Sequence, residues 1–177
     1  MRTLLIGLVG ILAVGIVACG PTTSKHMEGS RHELFDSVRS ISAASSNVVV
    51  VEVQSQREEE GPQIPYTISD AKVMTQFAPA GLGSAIDLKT PREIGGEVAV
   101  RQMGSKEVST PAPILEIGRQ YLLFLTPSML DGEAAKQFYV TGGSAGIYSV
   151  EGSHFVHGPF TEGDNLPGAL TTADLGG

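Results

Sequence analysis

The chain predicts a mainly β domain, either a small closed or half-closed antiparallel barrel or a sandwich, with one N-terminal helix. Three observations point there. One helical pattern near residue 30 is followed by seven or eight short runs rich in β-branched and aromatic residues. Turns separate these runs, drawing on 22 Gly and 10 Pro. No helical stretch alternates with the strands, which argues against a parallel α/β sheet.

The elements follow in order. Ser30-Arg31-His32-Glu33 matches a capping box, with Ser30 as N-cap and Glu33 reaching back. Leu34, Phe35, Val38 and Ile41 then share one face of a helix of about three turns. Small polar residues from Ala43 to Asn47 end it. Asn47-Val48-Val49-Val50-Val51-Glu52-Val53 reads as a strand, and its unbroken apolar run predicts burial on both faces over part of its length. Residues 54–65 read as a polar connection that carries the acidic triplet Glu58-Glu59-Glu60.

Tyr66, Ile68, Val73 and Phe77 mark a second strand with a bulge near Asp70. Residues 78–83 read as a loop. Ile86 and Leu88 mark a third strand, and Val98 and Val100 a fourth. Tyr121-Leu122-Leu123-Phe124-Leu125 is the strongest later strand, ended by Pro127. Three short strands follow, at Phe138-Tyr139-Val140, Ile147-Tyr148-Ser149-Val150 and Phe155-Val156. Beyond Gly158 the Gly, Pro, Thr and Asp-rich composition predicts a loosely ordered tail over 159–177.

The N-terminus has a different character. Arg2 precedes an apolar run from Leu4 to Ala18, which ends at Ile16-Val17-Ala18-Cys19. A basic start, a short apolar middle and small residues at the exit make a secretory signal shape. The run is shorter than the roughly 20 apolar residues a spanning helix needs. Cys19 is the only cysteine in the chain. These residues resemble the lipobox of bacterial lipoproteins. The resemblance implies cleavage after residue 18, lipidation of Cys19 and a tether over residues 19–29. Two acyl chains anchor stably where one does not. Gly20 follows the cysteine in place of an acidic inner-membrane retention residue, which favours the outer membrane where a cell has one.

With the leader removed, 159 residues remain, enough for one domain over 30–158 with a self-sufficient core. Lipidation of Cys19 leaves no thiol for a disulfide. Removal of Arg2 leaves 11 basic against 19 acidic residues, a net charge of −8, which argues against a nucleic-acid partner.

From about residue 47 to 126 the order of strands also resembles the OB-fold barrel of netrin-like and tissue-inhibitor-of-metalloproteinase domains. A Val-rich strand, a Tyr-Thr-Ile strand, an alternating strand and Gly118-Arg119-Gln120-Tyr121-Leu122 carry the likeness. It implies an OB-like barrel. In the tissue inhibitors the N-terminal cysteine chelates the protease zinc through its amine and carbonyl. An acylated Cys19 on a tether does not supply that group, so the inhibitory mechanism does not carry over.

Candidate chemistry is sparse. Gly142-Gly143-Ser144-Ala145-Gly146 matches the Gly-x-Ser-x-Gly pattern of a nucleophile elbow, which requires a strand before the serine and a helix after it. A strand follows here, so a Gly-rich hairpin or bulge explains the same residues. His154 and His157 come downstream with only Glu151 between them and Ser144, and Asp164 comes after both. Three residues apart on a strand, the two histidines face opposite sides, which predicts no shared metal. The acidic triplet, Asp70, Asp87, Glu93 and Gly81-Leu82-Gly83-Ser84 carry no ligand or phosphate spacing, and His32 reads as a surface residue.

The sequence therefore predicts a lipid-anchored extracytoplasmic binding or accessory domain with no catalytic activity, cofactor or metal. Cys19 joins it to the membrane, an envelope protein is its candidate partner, and the loops at 54–65 and 78–83 are candidate contact surfaces. The alternatives are a small serine hydrolase using Ser144 and a structural envelope lipoprotein.

Overall fold

The computed structural model describes residues 25–26, 33–78, 96–158 and 163–176. Within them the strands are β1 (Lys25–His26), β2 (Asn47–Glu59), β3 (Tyr66–Phe77), β4 (Glu97–Met103), β5 (Val108–Ser109), β6 (Gln120–Pro127), β7 (Gln137–Val140), β8 (Ile147–Glu151), β9 (His154–His157) and β10 (Ala169–Leu170). A short helix, α1 (Val38–Ala43), precedes β2. One-turn 3-10 segments occupy Gly132–Lys136, Gly143–Gly146 and Thr172–Leu175.

β2, β3 and β4 form an antiparallel meander, and β6 returns to lie beside β2. This spatial order is that of a Greek key. β7 closes the ring, antiparallel to β6 and parallel to β4. The result is a ring of five strands, a barrel-like form within the mainly β barrel-or-sandwich class that the sequence predicts, with one parallel seam in place of a wholly antiparallel ring. The seam is a necessity of counting, because directions cannot alternate all the way around a ring of five. A separate parallel pairing joins β1 to β5.

β6 belongs to two sheets. Leu125 to Pro127 pair with β7 and close the barrel, whereas Tyr121 to Leu123 pair with β8. β8, β9 and β10 then extend outward as an antiparallel side sheet.

Two cores result. Val49, Val51, Val53, Val73, Val98, Val100, Leu123, Leu125 and Phe138 fill the barrel. Val48, Val50, Leu122 and Phe124 point the other way, against Phe35, Ile41, Tyr148, Phe155 and Leu170. The Val48–Val51 run is apolar without a break because alternate residues serve different cores. Each such side chain contributes roughly 1.5–3 kcal/mol by leaving water.

A plug seals one end of the barrel. The Leu115 N–H donates to Gln102 Oε1 at 3.0 Å, and Gln102 Nε2 donates to the Pro113 carbonyl at 2.8 Å. Gln56 Nε2 donates to the Leu115 carbonyl at 2.5 Å.

The structure differs from the sequence reading in three places. First, the helix starts at Val38, capped by Ser37 and Ser40 in a reciprocal box, and the Ser30 of the expected box lies outside the described residues. Phe35 is excluded from helix by its backbone partners. Its N–H donates to Asp164 Oδ1 at 2.8 Å, and its carbonyl accepts from the Asn165 N–H at 3.0 Å. Leu34 accordingly stands 58% exposed instead of lining a helix face.

Second, β2 runs on through Glu59, so much of the expected connection at 54–65 is strand. Its polar composition arises because this ribbon packs no core on its outer side. The pairing skips Met74 on β3 and Gln54 on β2, and the second of these bulges lies opposite the Ala71-Asp70 step. The extra residue at Gln54 switches side-chain parity. Gln56 then points to the plug, while Ser55, Arg57 and Glu59 lie outside.

Third, residues 163–176 are packed over a stretch read as a loose tail. β10 pairs with β9, Leu170 is buried, and a Thr171–Asp174 capping box closes the last turn. The expected third strand at Ile86 and Leu88 lies outside the described residues.

Candidate functional site

The switch of parity at Gln54 creates a three-strand grid on the outer face of the barrel. In register across β2, β3 and β4 lie Ser55–Asp70–Ala99, then Arg57–Ile68–Arg101, then Glu59–Tyr66–Met103. Ile68 is fully buried at its centre. Around it the polar groups are paired. Arg57 holds Asp70 through Nη1 at 3.0 and 2.8 Å, and Arg57 Nε lies 3.5 Å from Glu59.

Arg101 is the least expected member. It is only 8% exposed. Its Nη1 donates to Glu59 at 2.6 Å and to Gln137 Oε1 at 3.0 Å, and its guanidinium lies 4.0 Å over the Tyr66 ring. A guanidinium suits this setting, because it stacks on an aromatic face while its fork reaches carboxylate and amide. Its Nε is buried with no acceptor, so the cation is not fully satisfied.

Beside the grid lies an open cleft of about 370 Å³, lined by Arg57, Glu59, Ala99, Glu133, Lys136 and Gln137. The connection over residues 128–136 forms its far wall. Lys136 pairs with Glu133 at 2.9 Å on that wall. The cleft thus presents both signs of charge, Arg57 and Glu59 on β2 facing Glu133 and Lys136 on the 3-10 segment, an arrangement suited to orienting a polar or zwitterionic surface rather than a single ion.

Ser144 occupies a different place. It lies in the 3-10 turn Gly143–Gly146, where the chain passes from β7 on the barrel to β8 on the side sheet. The strand–turn–helix context of a nucleophile elbow is not what surrounds it, since β8 follows directly. Gly142 and Gly143 both have positive φ, 67° and 61°. A Cβ at Gly146 would sit 2.4 Å from the Thr141 carbonyl oxygen. The glycines are therefore required by the crossing itself. Gly146→Ala is expected to lower stability by about 1–2 kcal/mol, and Ser144→Ala by less than half of that. Equal losses in chemical denaturation would contradict a packing role for Gly146.

Ser144 does share a cavity of about 150 Å³ with His157, Leu115, Tyr121, Ile147 and Ser149. His157 contacts two carbonyls, Nδ1 with Gly158 at 2.8 Å and Nε2 with Ala145 at 3.2 Å, and its ring packs edge-on to Tyr148 at 4.5 Å. His154 lies exposed near the far end of β9, beside Ser153. Glu151 stands at the opposite end of β8 from Ser144, paired with His154, and Asp164 is committed to the Phe35 N–H. The acid, base and nucleophile candidates named by the sequence are therefore spread over separate elements.

Glu58 and Glu59 are strand residues, and Glu59 serves Arg101. Among the described residues no group of three or more His, Cys, Asp or Glu could hold a metal, and no helix is long and apolar enough to cross a membrane. Cys19, His32, Asp87, Glu93 and most of the 78–83 loop lie outside the described residues. The sequence reading missed the grid because its members come from three segments, one of them taken for a loop. The cue was the Arg57–Glu59 alternation beside the Tyr66–Ile68 alternation, a two-residue period on both sides of a turn. No protein-family model and no curated protein sequence matches this chain.

Proposed function

We propose that this chain is a lipid-anchored extracytoplasmic binding or accessory domain. In this reading Cys19 holds it to the membrane, and the β2–β3–β4 grid with its adjoining cleft meets an envelope protein. The observation that carries the reading is the convergence of Arg57, Glu59, Lys136 and Gln137 around one open cleft on a closed barrel, with Arg101 bonded behind it to Glu59 and Gln137. OB-type barrels commonly bind on this strand face and on the loops that flank it. The acidic balance of the chain supports a protein rather than a nucleic acid as partner.

The test is crosslinking in cells of the tagged full-length protein, with Cys19→Ser as control. The expected result is one dominant protein partner that is lost with Arg57→Glu/Lys136→Glu, together with loss of the membrane fraction and of acyl mass in Cys19→Ser. Capture unchanged by the charge reversals overturns the site, and an unaltered acyl mass overturns the anchor. One observation favours a second reading, the cavity common to Ser144 and His157. Labelling by a fluorophosphonate that Ser144→Ala abolishes would establish a serine hydrolase in its place.

A further inference from the structure

We infer that the Met129-Leu130 tip of the β6–β7 connection is the anchoring contact for a protein partner with an apolar pocket rimmed by cationic side chains. This rests on the binding reading above and identifies the chemistry of the partner. Met129 is the one non-glycine residue with positive φ among the described residues, at 57°. A side chain in the left-handed region carries strain that glycine would not. Such strain persists only where surrounding structure enforces it, and it concentrates at contact and catalytic sites.

Here Ser128 enforces it. The buried Ser128 accepts from the Leu130 N–H at 3.3 Å and donates its Oγ to the Ala134 carbonyl at 2.6 Å. Its own N–H donates to the Gln137 carbonyl at 3.0 Å. These three bonds hold the connection in shape and turn Met129 outward, 84% exposed, next to Leu130 at 40%. Among the described residues, little covers this large apolar side chain. An unbranched thioether on a fixed turn is suited to filling an irregular pocket, and its ordering before contact reduces the cost of binding.

Charge selects the partner. Asp131 stands exposed immediately after the tip and Glu133, paired with Lys136 at 2.9 Å, lies just beyond it, so the tip segment keeps a net negative charge on a chain of net charge −7. An anionic lipid surface would repel them, whereas a cationic rim around the partner's pocket would pair with them. The tip also opens the segment that lines the cleft, so a partner seated on Met129 extends naturally over Glu133 and Lys136.

The test uses the full-length anchored protein with photocrosslinking residues placed separately at Leu130 and at Arg57. Met129→Gly is expected to raise the melting temperature by a few degrees, since strain is removed and no packing is lost. It is also expected to reduce adduct yield from Leu130 at least tenfold. Asp131→Lys, which leaves the Glu133–Lys136 pair and the cleft lining intact, should reduce yield similarly at unchanged melting temperature, and the wild-type yield should fall as salt rises. A lower melting temperature in Met129→Gly, or an unchanged yield in either variant, overturns the inference. Sedimentation of the Cys19→Ser protein with phosphatidylcholine–phosphatidylglycerol vesicles, lost in Met129→Gly, overturns it in favour of a membrane contact. Adducts from Arg57 that survive Met129→Gly defeat the tip alone, whereas no adduct from either position in the wild type defeats the binding reading itself.

Discussion

Tyr148→Ala will destabilise the domain by about 3–5 kcal/mol, a large part of the 5–15 kcal/mol available to a chain of this kind. Tyr148 is fully buried and sits where the side sheet, β6 and the C-terminal segment meet. Its ring lies 6.2 Å from Phe124 and 4.5 Å from the His157 ring, and its hydroxyl donates to the Pro167 carbonyl at 3.3 Å. Truncation removes contacts to three segments that cannot collapse together into the space. A loss under about 1.5 kcal/mol in denaturant unfolding would mean that 163–176 does not depend on this ring.

The same residue sets an alkaline limit. Burial, with the Asp164 charge adding to it, pushes the Tyr148 phenol well above its usual value near 10. The unfolded chain releases this proton first, so the contribution is complete below about pH 10 and is lost as pH rises toward the folded value. Each pH unit in that window removes up to about 1.4 kcal/mol. Tyr148→Phe keeps the ring and removes the titration, so its stability should fall less steeply above pH 10 than that of the wild type. Parallel alkaline limbs would refute the assignment.

Glu59→Ala is the second large effect, expected at about 2–3 kcal/mol. The residue left behind is Arg101, 8% exposed, with its Nε already lacking an acceptor. Breaking a fully buried ion pair from one side costs about 3–5 kcal/mol. The Glu59 side chain is 35% exposed, so water screens part of that. The converse is equally informative. Arg101→Met/Glu59→Leu removes both charges and should lie within about 1 kcal/mol of the wild type, because an apolar pair of similar size carries no desolvation cost. The wild type, Glu59→Leu, Arg101→Met and the double variant form the denaturation cycle that decides the matter. If the double variant loses the sum of the two single losses, the pair is not coupled and the grid is only a solvated surface.

The contrast between Val48–Val53 and Arg57–Glu59 shows what the sequence could reveal. Both stretches belong to one strand. The first is legible because burial writes itself as β-branched hydrophobicity. The second leaves no hydropathy signal, since Arg57 and Glu59 stand opposite Ile68 and Tyr66 on a ribbon whose other outward groups are polar. The late strands at 138–140 and 147–150 were legible for the reason that β2 was. Residues 163–176 were not, because Leu170 and a few backbone pairings suffice to dock them on an existing sheet edge. The helix boundary slipped because two serine boxes compete, and the long-range pairing of Phe35 with residues 164–165 decides between them. The candidate site was the least legible part, as it exists only once the bulge at Gln54 has set which residues face outward.

A strand that is apolar on both sides also carries almost no information about its own alignment. Where one face is wet, a slip of one residue exposes a hydrophobic row and is rejected at once. Along Val48–Val51 the same slip exchanges one valine for another. The message that fixes the frame must therefore be written at the margins. Ser46 writes it at one margin, sending both its N–H and its Oγ to the Leu125 carbonyl at 2.8 and 3.1 Å. Glu52 writes it at the other, taking Gln120 Nε2 at 3.1 Å. Two polar residues at its ends, Ser46 and Glu52, thus act as the punctuation that makes four consecutive valines readable.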